Sequence, residues 1–153
     1  MSPGEFIALI GPAAQASAES TGVPASFTVA QAALESGWGT AQLATQAMNL
    51  FGVKADPSWH GDILTLNTRE FLQETWVLVP ARWRKYVDWQ ACMDDHAAFF
   101  HQNRRYAACF TCTTGEAFAR AVAAAGYATD PDYAAKIVSI IEQHQLAALD
   151  GGA

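Results

Sequence analysis

Apolar residues recur at helical spacing near both ends of this chain and lose that spacing in the middle. Phe6, Leu9, Ile10 and Ala13 follow a 3.6-residue period behind Ser2, Pro3 and Glu5, whose side chains carry helix-start chemistry. A break at 21–24 separates this helix from a second, from about 24 to 36, with Phe27, Ala30 and Leu34 on one side. Gly37 and Gly39 end it, because glycine lets the backbone leave a helix without a side-chain penalty. Residues 40–48 predict a short helical piece. Between about 52 and 82, Ile63, Leu64, Leu66, Trp76, Leu78 and Val79 sit among Thr, Asn and Arg, which predicts two or three short strands with Pro80 as a boundary. Helical spacing returns over about 88–101 through Cys92, His96, Phe99 and Phe100. It returns again behind a Thr113/Glu116 capping box and behind Asp130-Pro131, where Asp130 reads as the cap.

This pattern predicts an α+β fold, mostly helical, with one domain over 1–153. A small strand-rich lobe spans about 53–82, and a flexible tail about 149–153. A cleft between helical body and lobe suits a long polymer. No internal repeat or linker to a second domain is visible. At 153 residues, 51% hydrophobic and 16% charged, the chain is globular and long enough to bury a core without staples.

The net charge of -6 argues against a nucleic-acid partner, which needs a basic footprint. No apolar run approaches a membrane span, so stable membrane insertion is not expected. The first residues lack a basic leader and an apolar export segment, so the reading is synthesis in the bacterial cytoplasm without an ordinary signal peptide. Cys109 and Cys112 have the spacing of a redox motif. Reduced thiols and a Cys109–Cys112 disulfide are both compatible with it. His60, His96, His101 and His144 lack zinc-enzyme spacing, and His96 reads as a packed histidine. Serine-nucleophile and phosphate-loop motifs are missing, and no metal or organic cofactor is expected.

Glu35 is the leading candidate for chemistry. It lies in the last turn of an apolar helix, inside Ala32-Ala33-Leu34-Glu35-Ser36-Gly37-Trp38-Gly39. A carboxyl beside bulky apolar groups at a helix C-terminus is poorly placed to ionise, and such a group can donate a proton to a glycosidic oxygen. A surface glutamate at a helix end is the plain alternative. Five tryptophans are many for this length. Trp38 reads as core, while Trp59 and Trp83 are candidates for stacking on sugars.

Glu35-Ser36-Gly37-Trp38-Gly39 resembles the catalytic segment of the glucosaminidase domains in flagellar peptidoglycan hydrolases, autolysins and phage lysins (glycoside hydrolase family 73). Five later blocks resemble the family in order: 49–54, 59–70, 82–89, 103–106 and 125–134. Together they cover roughly 20–145. The resemblance implies a lysozyme-like, goose-type-like helical body with a small β-lobe, and an enzyme that cuts peptidoglycan glycan strands between N-acetylglucosamine and N-acetylmuramic acid. It makes Glu35 the general acid and Glu70 a second carboxylate on a mobile lobe, with Glu74 in reserve. Tyr127 and Tyr133 would lie near the acid, and Asn49 and Phe51 on the cleft floor, a local turn cap being the other reading of Asn49. A shorter stretch between Gly39 and Asn49 implies a more open groove. A phage lysin released by a pore-forming partner and a secreted antibacterial effector with an immunity protein both fit, acting in the periplasm or cell wall. A muramidase of the same fold and a non-catalytic wall-binding protein are the alternatives.

Overall fold

Ser2 accepts from the Glu5 amide and Glu5 reaches back to the Ser2 amide, so the expected capping box starts α1 (Pro3–Thr21). In this computed structural model, which describes residues 1–151, α1 packs on α2 (Ala25–Ser36), the central helix. Every residue of α2 from Ala25 to Ala33 is buried, because α1, α5 (Gly115–Ala124) and α6 (Tyr133–Gln143) all lie against it. The core they enclose includes Phe6, Ile10, Phe27, Phe100, Phe118 and Ile137, each at most 1% exposed. A short α3 (Gln42–Ala47), then α4 (Trp89–Gln102) and two 3-10 helices (Arg104–Thr111 and Leu146–Leu149), complete the body.

The middle of the chain is simpler and longer than its pattern suggested. Two strands of 11 residues, β1 (Asp62–Leu72) and β2 (Thr75–Lys85), pair antiparallel as one hairpin. Residues 53–61, expected within the strand lobe, are mostly loop, tied to β2 through Ala55 and the Lys54–Trp83 bridge. The connection is a two-residue turn, with Gln73 at φ 50° and Glu74 at φ 64°. Both angles suit a hairpin turn that matches strand twist. Pro80 is not a boundary; it sits inside β2 opposite Asn67. A hairpin has two open edges, so a residue without an N–H can face solvent there at little cost.

Two helix starts shift. Thr114, not Thr113, caps α5 by accepting from the Ala117 amide. Asp130 accepts from the Asp132 amide and pairs with Lys136, so it closes the turn before α6 and does not cap the helix. The tail expected to be flexible is held over its first two residues. Leu149 packs on the core, and the Asp150 carboxylate accepts from the Ser26 amide at 2.9 Å and from its hydroxyl. Residues 152–153 of that predicted tail lie outside the described residues.

Candidate active site

Three left-handed residues follow Glu35 closely: Gly37, Trp38 and Gly39 have φ of 59°, 58° and 80°. They turn the chain away from the end of α2. A Cβ at Gly39 would stand 2.9 Å from the Phe6 ring, so only glycine fits the contact without displacing it. The buried Ser36 hydroxyl donates to the Ala32 carbonyl and accepts from the Gly39 amide, which clasps the turn. Trp38 packs edge-on against Phe6 and His144, the structural role expected of it. The segment's small and aromatic residues therefore build a tight exit that leaves Glu35 at the surface. Glu35 is exposed, so the apolar enclosure expected from its neighbours does not form. Alternation along α2 explains this: the apolar groups around Glu35 point into the core, and its carboxyl points out.

One carboxyl oxygen is engaged. Tyr133, the first residue of α6, donates its hydroxyl to Glu35 Oε1 at 2.9 Å. Behind Tyr133, the Gln31 amide donates to the same hydroxyl at 2.8 Å, and His96 Nε2 lies 2.9 Å from Gln31 Oε1. Gln31 is fully buried, and one helical turn before Glu35. Burial pushes His96 down to about 3, and its ring stacks on Phe51 at 4.0 Å. Burial likewise pushes the Tyr127 and Tyr133 hydroxyls up, and the Glu35 charge adds to both. The Tyr127 ring lies 5.6 Å from that of Tyr133 and 6.1 Å from His96. The structure thus brings Glu35, Tyr127 and Tyr133 together, with Phe51 joined to them through His96.

A cleft of about 780 Å³ adjoins this cluster, lined by Phe51, Lys54, Trp59, Arg84, Phe99 and Tyr127 among others. Its wall holds an ion-pair cluster that sequence reasoning missed. Arg84 donates to Asp95 at 2.7 Å and to Asp56 at 3.2 Å, and Tyr86 donates to the same Asp95 oxygen at 2.6 Å. The Arg84 guanidinium lies 5.0 Å from the Trp59 ring, whose indole N–H donates to the Asp62 carbonyl. Trp59 therefore lines the cleft with its edges already held.

Other expected residues fall elsewhere. Asn49 is buried, and its amide donates to the Val53 and Arg84 carbonyls while its carbonyl accepts from the Val53 amide. Every strong bond that side chain offers is spent on tying the loop to β2, so it shapes the cleft and does not line it. Trp83 is adjacent to Arg84 in a strand, so its side chain takes the opposite hairpin face; it lies under the cleft residue Lys54 at 5.7 Å and does not itself line the cleft. Glu70 is exposed on the outer half of β1, opposite Val77, with Thr68 as its side-chain partner at 3.3 Å. No contact joins it to Glu35 among the described residues. Cys109 and Cys112 are free thiols, not a disulfide. Burial, then the neighbouring Cys112, pushes the Cys109 thiol up, which disfavours the thiolate that disulfide chemistry needs. Among the described residues no three His, Cys, Asp or Glu side chains gather as a metal site, and no helix is long and apolar enough to cross a membrane.

Residues 11–146 match the glucosaminidase family, described as mannosyl-glycoprotein endo-beta-N-acetylglucosaminidase. The chain is 41% identical over 143 residues to the peptidoglycan hydrolase FlgJ of Salmonella typhimurium, which covers 91% of this chain and 45% of that protein. It is 39% identical over 130 residues to the exo-glucosaminidase LytG of Bacillus subtilis, covering 82% of this chain and 45% of the relative. The chain thus spans about half the length of these curated relatives. The truncated glycoside hydrolase domain of Salmonella typhimurium FlgJ superposes with a TM-score of 0.85 at 39% identity, over 94% of this chain and 98% of that one. The expected architecture, a lysozyme-like helical body with a small β-lobe, is shared with it.

Proposed function

This chain belongs to the glucosaminidase family, of the type found in flagellar peptidoglycan hydrolases, and from that premise we propose that it hydrolyses peptidoglycan as an endo-β-N-acetylglucosaminidase. The bond cut is the one after N-acetylglucosamine and before N-acetylmuramic acid. Glu35 gives its proton to the leaving glycosidic oxygen as the C1–O bond breaks. Water adds to the sugar carbon and gives its proton either to Glu70, acting as base, or back to the Glu35 carboxylate where Glu70 or the sugar's own acetamido oxygen has supported the positive charge. The observation that carries this reading is the surface carboxyl of Glu35, engaged at Oε1 by Tyr133 and lacking a protein partner at Oε2 among the described residues. The family description names glycoproteins, whereas FlgJ is a peptidoglycan hydrolase and LytG an exo-glucosaminidase. Both substrates carry N-acetylglucosamine, and the likeness to FlgJ favours the wall.

The site of action is the cell wall or periplasm. The route is that of a lysin passing a pore-forming partner, or of an antibacterial effector neutralised by an immunity protein.

The test is digestion of purified peptidoglycan by wild type and Glu35→Gln, with borohydride labelling and mass spectrometry of new reducing ends. Reduced N-acetylglucosamine ends, lost with Glu35→Gln, are expected. Reduced N-acetylmuramic acid ends would instead identify a muramidase, and release of only terminal sugars an exo-acting enzyme. No new ends from folded wild type would favour wall binding.

A further inference from the structure

Three helices place polar side chains in a single line behind the proposed acid: His96 from α4, Gln31 from α2 and Tyr133 from α6. The donors in that line follow from the orientation of the Gln31 amide. Gln31 Nε2 donates to the Tyr133 hydroxyl at 2.8 Å, so Gln31 Oε1 is the atom 2.9 Å from His96 Nε2. A carbonyl oxygen only accepts, so His96 carries its proton on Nε2. The ring is neutral near pH 7, since burial pushes it down to about 3, and Phe51 stacked at 4.0 Å fixes its plane. The reverse amide orientation would need the His96 proton on Nδ1; with it on Nε2, Gln31 keeps its NH2 towards Tyr133. The Tyr133 oxygen therefore receives an N–H from Gln31 and has its own proton free for Glu35 Oε1, 2.9 Å away.

We propose that His96 and Gln31 are positioning residues which fix the Tyr133 hydroxyl as a donor to Glu35 Oε1, and thereby assign the transferable proton to Oε2. This inference rests on the reading of Glu35 as the acid. When Oε2–H gives its proton to the leaving oxygen, the charge left on the carboxylate meets a hydroxyl already aimed at it. That bond becomes charge-assisted, and so stronger, in the direction of reaction. Gln31 and Tyr133 stand behind the cleft lining, and His96 reaches it only with its ring, so a change of the line's polarity that keeps the rings lowers kcat and leaves KM nearly unchanged.

Gln31→Glu tests the polarity of the line with little change of shape. The titratable groups around that position are His96, Tyr127, Tyr133 and Glu35. With its proton, the introduced carboxyl can donate to Tyr133 and accept from His96, as the amide does. Without it, it only accepts, and draws the Tyr133 proton away from Glu35. The kcat ratio of Gln31→Glu to wild type is therefore expected to fall on the order of tenfold or more above pH 7 and to recover towards pH 5, at constant KM. A ratio that is flat across pH, with wild type active and Glu35→Gln inactive, overturns the relay alone. Wild type without new reducing ends, or Glu35→Gln as active as wild type, overturns the reading beneath it. Should Gln31→Glu fail to fold, His96→Phe keeps the stacked ring and removes the N–H; its expected effect is a lower kcat at constant KM, and an unchanged kcat overturns the proposal.

Discussion

The Tyr133 hydroxyl reaches the Glu35 carboxyl from the first turn of a helix 98 residues further along the chain, at 2.9 Å. Its loss is expected to slow turnover without removing it. Tyr133→Phe should cost about tenfold to a hundredfold in kcat, less than the loss of the proton donor itself, for which general acid catalysis sets a scale of about 10² to 10⁴. Steady-state release of reducing ends, with Glu35→Gln as the reference, measures both. Equal losses would mean that the tyrosine is as essential as the acid, against the donor roles assigned here.

Glu70 separates chemistry from stability cleanly, because it is exposed on a strand whose fold does not depend on it. Glu70→Gln should leave thermal stability within about 0.5 kcal/mol of wild type. Its turnover should fall substantially, though not to zero. Turnover near wild type would transfer the second-carboxylate role to Glu74 or to the substrate's acetamido group.

Asn49 predicts the reverse. Three hydrogen bonds from one buried amide hold 49–53 against the end of β2. Asn49→Ala leaves the Arg84 carbonyl and the Val53 amide without that partner, while the Val53 carbonyl keeps the Arg84 amide, and should destabilise the fold by about 2–3 kcal/mol, since each unsatisfied group costs roughly 1–3 kcal/mol. Urea unfolding reads this directly. An unchanged midpoint would show that water replaces the side chain.

His96 couples stability to pH. Its folded-state value of about 3 lies below the ordinary 6.5. Between those values the unfolded chain binds a proton that the folded chain excludes. Stability is therefore fully present above pH 6.5 and lost as pH falls towards 3, with a slope approaching about 1.4 kcal/mol per pH unit. Carboxylates also titrate in this window, so the informative quantity is the difference between wild type and His96→Phe. The variant should show a flatter fall from pH 6.5 to 4.5, and identical slopes would contradict a buried neutral imidazole.

Local chemistry made some of this architecture legible and concealed the rest. The capping box at Ser2 and the glycine exit after Glu35 could be read because each is decided within a few residues. The hairpin could not be read at its true length. Its turn residues, Gln73 and Glu74, carry neither the Asn nor the Gly that usually marks such a turn, and Pro80 imitates an end. Asn49 matched a family block, yet its bonds run to Val53 and Arg84, and the second of these exists only after β2 has folded back. The exposure of Glu35 was likewise a property of the assembled helices. Gln31 was the missed opportunity: its spacing of four from Glu35 put both on adjoining turns of one helix face, where a buried amide signals a polar line.

Among the described residues the hairpin is anchored at its root, through Trp59 to Asp62, through Asn49 and Arg84 to the loop beneath, and through Arg84 to Asp95 of α4. At about 3.3 Å per residue, Glu70 stands roughly 26 Å out from Asp62 along β1. The hairpin is thus a lever arm, and a pivot of about 5° at the root carries the proposed second carboxylate through about 2 Å. Separations of about 5–5.5 Å and 6.5–9.5 Å divide retaining from inverting glycosidases. A swing of that size is comparable with the gap between the two, so with Glu70 as second carboxylate the choice between them would be set at the root of the hairpin, by Asn49 together with the cleft-lining Trp59 and Arg84.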